Sequence, residues 1–308
     1  MSICRRSFAL LAFALSLGFA NAQSQGAGAP EIIRHKTNPH EADSSPTAGS
    51  TGQITPPIAY NGGKVLDTPT VYVIWYGNWA QDNGTDTAGG QAIIRDFLKG
   101  LDNSNYYLIN HSYGTPTGRV NVGSEYTDPG SQGTRLSDSD VQSIVSSAIS
   151  PGKLPSDPNG VYFVLTSSNV AEKSGFCSKY CGWHTSGTLN GSSIKYAFVG
   201  NAARCLNACA AQTTGPNGNA GVDAMVSVIA HELEEANTDP IPNSGWADAK
   251  GAENADKCAW TFGQTLGHAP NGAYFNVTLP PGTGRNYLIQ RNLDVNSLCF
   301  IDYPKQQQ

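Results

Sequence analysis

The chain has 308 residues, 39% of them hydrophobic and only 14% charged, with 34 glycines and 18 prolines. That is enough apolar material for a sizeable core, in a loop-rich composition common among exported proteins. The formal net charge of -5 and the lack of a basic patch exclude nucleic acid as a natural partner.

Met1 to Ala22 reads as a secretory signal peptide. Arg5 and Arg6 form its positive start, Phe8 to Phe19 its apolar run, and Ala20-Asn21-Ala22 a small-residue cleavage site. The expected mature start is therefore Gln23. Arg5-Arg6-Ser7-Phe8 is also compatible with a twin-arginine export route. No later stretch is long and apolar enough for a membrane helix. The protein is expected to be secreted and extracellular, in a cell wall or periplasm.

Residues 23–63 are rich in Gly, Ala, Ser, Thr and Pro and lack apolar periodicity, so they read as a flexible leader. Residues 64–308 read as one globular domain. Val71-Tyr72-Val73-Ile74-Trp75-Tyr76 is a buried strand, and Ala92, Ile93, Phe97, Leu98 and Leu101 mark a helix. Tyr106 to Tyr113 reads as extended, and Arg119 to Val122 as a short strand. Ser137 or Asp138 caps a helix that runs through Val141, Ile144, Val145 and Ala148.

Val161 to Thr166 is the clearest strand, and Tyr196 to Val199 is another. Phe176 to Ala210 reads as loop and hairpin tied by cysteines. Short strands are expected at Tyr274 to Val277 and Tyr287 to Ile289. The alternation predicts an α/β or α+β layered domain with a mixed sheet.

The rest of the chain is organised around residues 223–240. Val222, Met225, Val226, Ile229, Leu233 and Ala236 form a helical apolar stripe. His231 and Glu235 are four apart, one turn above the other, and can reach one ion. Glu232 stands beside them. The layout is that of the zinc-peptidase helix His-Glu-x-x-His, with Glu235 in place of the second histidine. A zincin-like helix with one histidine and carboxylates suits zinc and harder divalent ions alike. The plainer alternative is a solvated polar face.

A third metal ligand is expected from the following loop: Asp256 first, Asp239 second, Asp248 third. Glu232 would be the general base that activates metal-bound water. His184 would donate to a developing oxyanion, or serve as a structural histidine near a disulfide. Glu253 lies in the same acidic loop. No nucleophile elbow or phosphate-binding loop occurs.

Six cysteines follow the signal segment: Cys177, Cys181, Cys205, Cys209, Cys258 and Cys299. An even count in an exported chain argues for disulfide-stapled loops, with Cys258 and Cys299 paired across the C-terminal segment. The two C-x-x-x-C pairs offer a structural zinc site as the alternative.

Several segments together resemble the phosphate-induced, EXORDIUM-like family of secreted proteins. They are Val73-Ile74-Trp75-Tyr76-Gly77, Asn159 to Thr166, Phe176-Cys177 with Cys181-Gly182 and His184, and Tyr196 to Asn201 with Cys205 and Cys209. They continue through Gly221-Val222-Asp223, Ala230-His231-Glu232-Leu233, Thr238-Asp239-Pro240 and Glu253, Asp256 and Cys258. The resemblance covers roughly residues 65–300, in the family's order. It implies a secreted protein that acts at extracellular matrix or wall polymer. The alternative from the helix alone is a metallopeptidase-like hydrolase with a protein substrate.

Overall fold

The computed structural model describes residues 31–34, 46–280 and 284–304. The signal segment and the cleavage site lie outside the described residues. One six-stranded mixed sheet dominates. Numbered in chain order, its strands are β1 (Glu31–Arg34), β2 (Thr70–Tyr76), β3 (Asn121–Asp128), β4 (Gly160–Thr166), β5 (Tyr180–Leu189) and β6 (Ser192–Gly200). Their spatial order is β1-β5-β6-β4-β2-β3. The four strands from β6 to β3 run parallel, and β5 and β1 continue the sheet antiparallel.

The parallel part follows from its connections. Parallel neighbours need a crossover, and helices α1 (Ala88–Leu101) and α2 (Asp138–Ile149) lie in the connections from β2 to β3 and from β3 to β4. A strand covered on both faces reads as a continuous apolar run. That is what β2 and β4 show: every residue of β4, and all but the first of β2, is buried. Trp75, Tyr76, Phe163 and Phe198 lie in this core.

Helix α1 starts at Thr87, whose hydroxyl accepts from the Gly90 N–H. Helix α2 starts at Ser137 in a capping box with Asp140. A single turn, α3 (Leu206–Cys209), precedes the long helix α4 (Ala220–Thr238). Asn219 caps α4 by accepting from the Val222 N–H. Helix α4 packs on β5 and β6 and against α1.

The register of β5 assigns the layers. A Cβ on Gly182 would meet Val228 and Glu232 of α4, whereas one on Gly187 would meet Gln142 of α2. Even and odd positions of a strand face opposite sides. So α4 covers the face of β5 that carries Gly182 and His184, and α2 covers the other.

Three disulfides hold the connections: Cys177–Cys205, Cys181–Cys209 and Cys258–Cys299. With the sulfurs joined in pairs, the two C-x-x-x-C segments do not form a thiolate zinc site.

Some expectations are corrected. Tyr107–Tyr113 is a 3-10 helix, not an extended segment. Ser104 starts it by accepting from the Tyr107 N–H, and Tyr107, Asn110 and Tyr113, three apart, turn inward. The strand expected at Arg119 to Val122 starts at Asn121 and runs on to Asp128. The hairpin expected within Phe176 to Ala210 is present as β5 and β6, paired antiparallel, and its strands are longer than the sequence suggested.

Contacts of the domain also begin before residue 64. Strand β1 pairs with β5, placing Glu31 opposite His184 along the ladder. The Ile54 N–H donates to the Ser297 carbonyl at 2.8 Å. Ile58 is buried beside Tyr113, Cys258 and Leu293. Composition made this segment look like a spacer because its few apolar residues are too sparse to show a period.

Candidate metal centre on the long helix

The sequence of α4 buries more than an apolar stripe. From Met225 to Thr238 every residue is buried, charged ones included. The solvated-face alternative for its acids therefore fails. Glu232, Glu234 and Glu235 are 0% exposed and His231 is 1% exposed. They lie near the C-terminal end of the helix, where the backbone dipole is negative and disfavours carboxylates. No basic residue stands in the last turn.

His231 and Glu235 meet as the helical spacing requires. His231 Nε2 lies 2.9 Å from Glu235 Oε1 and 3.6 Å from Asp256 Oδ1. Asp256 comes from the loop after the helix, and its own N–H donates to Glu235 Oε1 at 3.0 Å. That loop is fixed two residues on by the Cys258–Cys299 bridge. Asp256 is the exposed edge of the cluster, with 18% of its side chain accessible.

The second side of the cluster comes from β5. Gly182 lets this strand approach α4 closely: a Cβ there would lie 2.5 Å from Val228 Cγ1 and 3.1 Å from Glu232 Oε1. Two residues on, on the same face, His184 enters the site. Its Nε2 lies 3.4 Å from Glu253 Oε2 and 3.7 Å from Glu235 Oε2. The Cys181–Cys209 bridge anchors the start of this strand.

The electrostatics follow from burial. Desolvation, with His231 adding to it, pushes His184 down to about 3. His184 is thus neutral near pH 7, and its approach to Glu235 is not an ion pair. For His231, burial also opposes the charged form, but Glu235, Asp256 and Glu232 outweigh it and hold the ring well above its ordinary value. Desolvation raises Glu235 to about 7, with Asp256 adding to it and His231 opposing it.

Several of these atoms lack hydrogen-bond partners. Both ring nitrogens of His184 and of His231, and Oε2 of Glu235, are buried without one. His231 Nε2 and Glu235 Oε1 are close, yet their geometry is not that of an N–H···O bond. Buried polar atoms are usually satisfied. Buried ring nitrogens and a carboxylate oxygen left without hydrogen bonds offer donor atoms to a cation. Two sets of donor atoms lie within 4.8 Å of one another: His231, Glu235 and Asp256, and His184, Glu232 and Glu235. The residues therefore fit a divalent ion.

The other expected ligands are elsewhere. Asp239 caps the helix end, where its carboxylate accepts from the N–H groups of Asn243, Ser244 and Gly245. Burial still raises it, while those donors and a hydrogen bond from Glu253 pull it down. Asp248 holds Lys257 Nζ at 2.7 Å. Neither joins a donor set with His231. Glu234 faces away from His231, accepting from Asn110 at 2.5 Å and Asn292 at 2.7 Å.

Glu232 and His184 both reach the cluster, but neither is exposed at its surface. A general base must come within hydrogen-bond reach of its substrate. Burial of both suits an enclosed ion better than an open catalytic one, which keeps a free position. The sequence offers His184 an oxyanion role or a structural one near a disulfide, and leaves the role of Glu253 open. The signal that could have placed His184 beside Glu232 is the Gly182-x-His184 alternation, hidden by reading the segment as loop and hairpin without bounds for its first strand.

The Phosphate-induced protein 1 conserved region matches residues 58–296. Protein EXORDIUM-like 3 of Arabidopsis thaliana is 32% identical over 280 residues, covering 76% of this chain and 79% of that protein. Protein EXORDIUM-like 5 of the same plant is 30% identical over 267 residues, covering 75% and 70%. Protein PHOSPHATE-INDUCED 1 of Nicotiana tabacum is 26% identical over 281 residues, covering 75% and 82%. No solved structure gives a significant match. The chain belongs to the Phosphate-induced protein 1, or EXORDIUM-like, family.

Proposed function

We propose that this member of the EXORDIUM-like family is an exported protein acting at extracellular matrix or wall polymer, with an enclosed divalent-metal site on its long helix. His231, Glu235 and Asp256 would hold the ion. The observation that carries the metal reading is the convergence of fully buried His231 and Glu235 on Asp256, without N–H···O hydrogen bonds at the histidine. Burying such groups together without a cation is costly. Asp256, partly exposed, provides the way in.

Export is supported by the three disulfides, which persist in oxidising compartments. No helix among the described residues is long and apolar enough to cross a membrane. The imidazole and carboxylate donors suit zinc and also manganese or iron(II). Bound to the folded state alone, the ion would lock α4 to the loop at Asp256 and stabilise the surface that meets the partner.

The test is elemental analysis of protein purified from the exported fraction, together with N-terminal sequencing. A divalent metal retained through desalting and a start at Gln23 support the proposal. A metal-free protein rules out the ion, and a start at Met1 rules out processing.

A further inference from the structure

We propose that the cluster is a two-ion centre, in which Glu235 bridges two divalent cations. One is held by His231 and Asp256, the other by His184 and Glu232. This rests on the metal reading above and adds a second ion to it.

The two donor sets overlap in one residue. His231, Glu235 and Asp256 form the first, and His184, Glu232 and Glu235 the second, each with donor atoms within 4.8 Å of one another. Each histidine belongs to one set and not the other. Metal–donor bonds of about 2 Å place the donors of one ion roughly 3–4 Å apart. Each set approaches that span and needs only a small contraction.

Glu235 is oriented for the shared role. Its Oε1 faces His231 Nε2 at 2.9 Å, and its Oε2 faces His184 Nε2 at 3.7 Å. A carboxylate with one oxygen toward each of two nitrogen ligands is the arrangement that joins ions about 3.5–4 Å apart. Oε2 has no hydrogen-bond partner, and neither ring nitrogen of His184 has one. The second set therefore presents atoms aimed into the cluster that the first ion does not use. Glu253 Oε2 lies 3.4 Å from His184 Nε2 on that side.

Charge favours the same count. Glu232, Glu235 and Asp256 contribute three negative charges when ionised, and Glu253, hydrogen-bonded to Asp239, a fourth once its proton is released on metal binding, while imidazoles bind metals as neutral rings. Two divalent ions balance four carboxylates, while one leaves two uncompensated charges in a buried site. The second set spans two parts of the fold: His184 lies on β5, whereas Glu232 and Glu235 lie on α4. Two ions would tie the sheet, the helix and the Asp256 loop together at one point.

The full chain should be produced and exported in medium containing Mn2+, desalted, and its metal content and electron paramagnetic resonance spectrum recorded. Two manganese ions per chain, with a spin-coupled spectrum, are expected. His184→Gln should lower the content to one and restore an uncoupled six-line spectrum. If His184→Gln does not fold, the wild-type content and spectrum decide alone. One uncoupled ion in the wild type overturns the bridging proposal and leaves the single-ion reading intact. Two ions in both wild type and variant overturn the assignment to His184. No ion in the wild type overturns both readings.

Discussion

Oε1 of Glu235 lies 2.9 Å from Nε2 of His231, one turn back along the same helix, and neither side chain is accessible to solvent. The contact joins the helix to the Asp256 loop, because the Asp256 N–H donates to that same oxygen. A single side chain thus ties two segments more than twenty residues apart in sequence.

The approach of β5 to α4 depends on the missing side chain at Gly182. Gly182→Ala would place a methyl 2.5 Å from Val228 Cγ1 and beside Glu232. We expect a loss of about 1–3 kcal/mol in stability from overpacking. We also expect His184 to be displaced, so that metal retention falls as well. Denaturant unfolding and metal content measured on the same preparation check this. A variant as stable as wild type would show that strand and helix adjust freely.

The Cys258–Cys299 bridge has a sequence separation of 41. Closing a loop of that size stabilises the fold by about 4 kcal/mol in the chain-entropy model. Replacing both cysteines with serine should lower stability by that order and loosen the Asp256 loop, reducing metal affinity. Thiol titration of denatured wild type should find no free sulfhydryl among the six cysteines. Unfolding of the double variant tests the stability part, and an unchanged midpoint would contradict it.

Asp223 carries a separate pH signal. Burial raises its pKa from 3.8 to about 6, against the opposing hydrogen bonds from Asn217 and Asn219. A carboxyl raised on folding binds its proton more tightly in the native state. Its favourable contribution is complete below about pH 4 and is lost as pH rises through about 6. Relative to Asp223→Asn, the wild type should gain stability between pH 6 and 4, by on the order of 3 kcal/mol. Paired melting curves across that range check the sign, and parallel curves would contradict it.

Much of the fold was legible in the sequence. The strands around Trp75 and Phe163 are apolar runs that only a doubly covered strand explains, and Ser137 with Asp140 announces the start of α2. Along α4, His231 and Glu235 were legible from spacing alone, and Asp256 from its acidic loop. Strand β5 was not, because its sequence from Tyr180 to Leu189 mixes glycine, threonine and serine with aromatics. Its burial on both faces comes from the helices packed around it. The approach of His184 to Glu235 and Glu253 was consequently not legible. Asp239 looked available because sequence does not reveal that the turn after Pro240 returns three N–H groups to its carboxylate. The partners of Glu234, Asn110 and Asn292, lie far away in sequence and were not legible there.

The most direct test of the central claim is thermal unfolding of the purified protein with and without a strong chelator. An ion that binds only the folded state must raise the melting temperature by mass action. The chelator should therefore lower the wild-type midpoint by several degrees. It should leave His231→Ala unchanged and still act on Glu234→Gln, whose side chain faces the two asparagines instead. Identical melting of the wild type with and without chelator, in a protein that holds no metal as purified, would contradict the account.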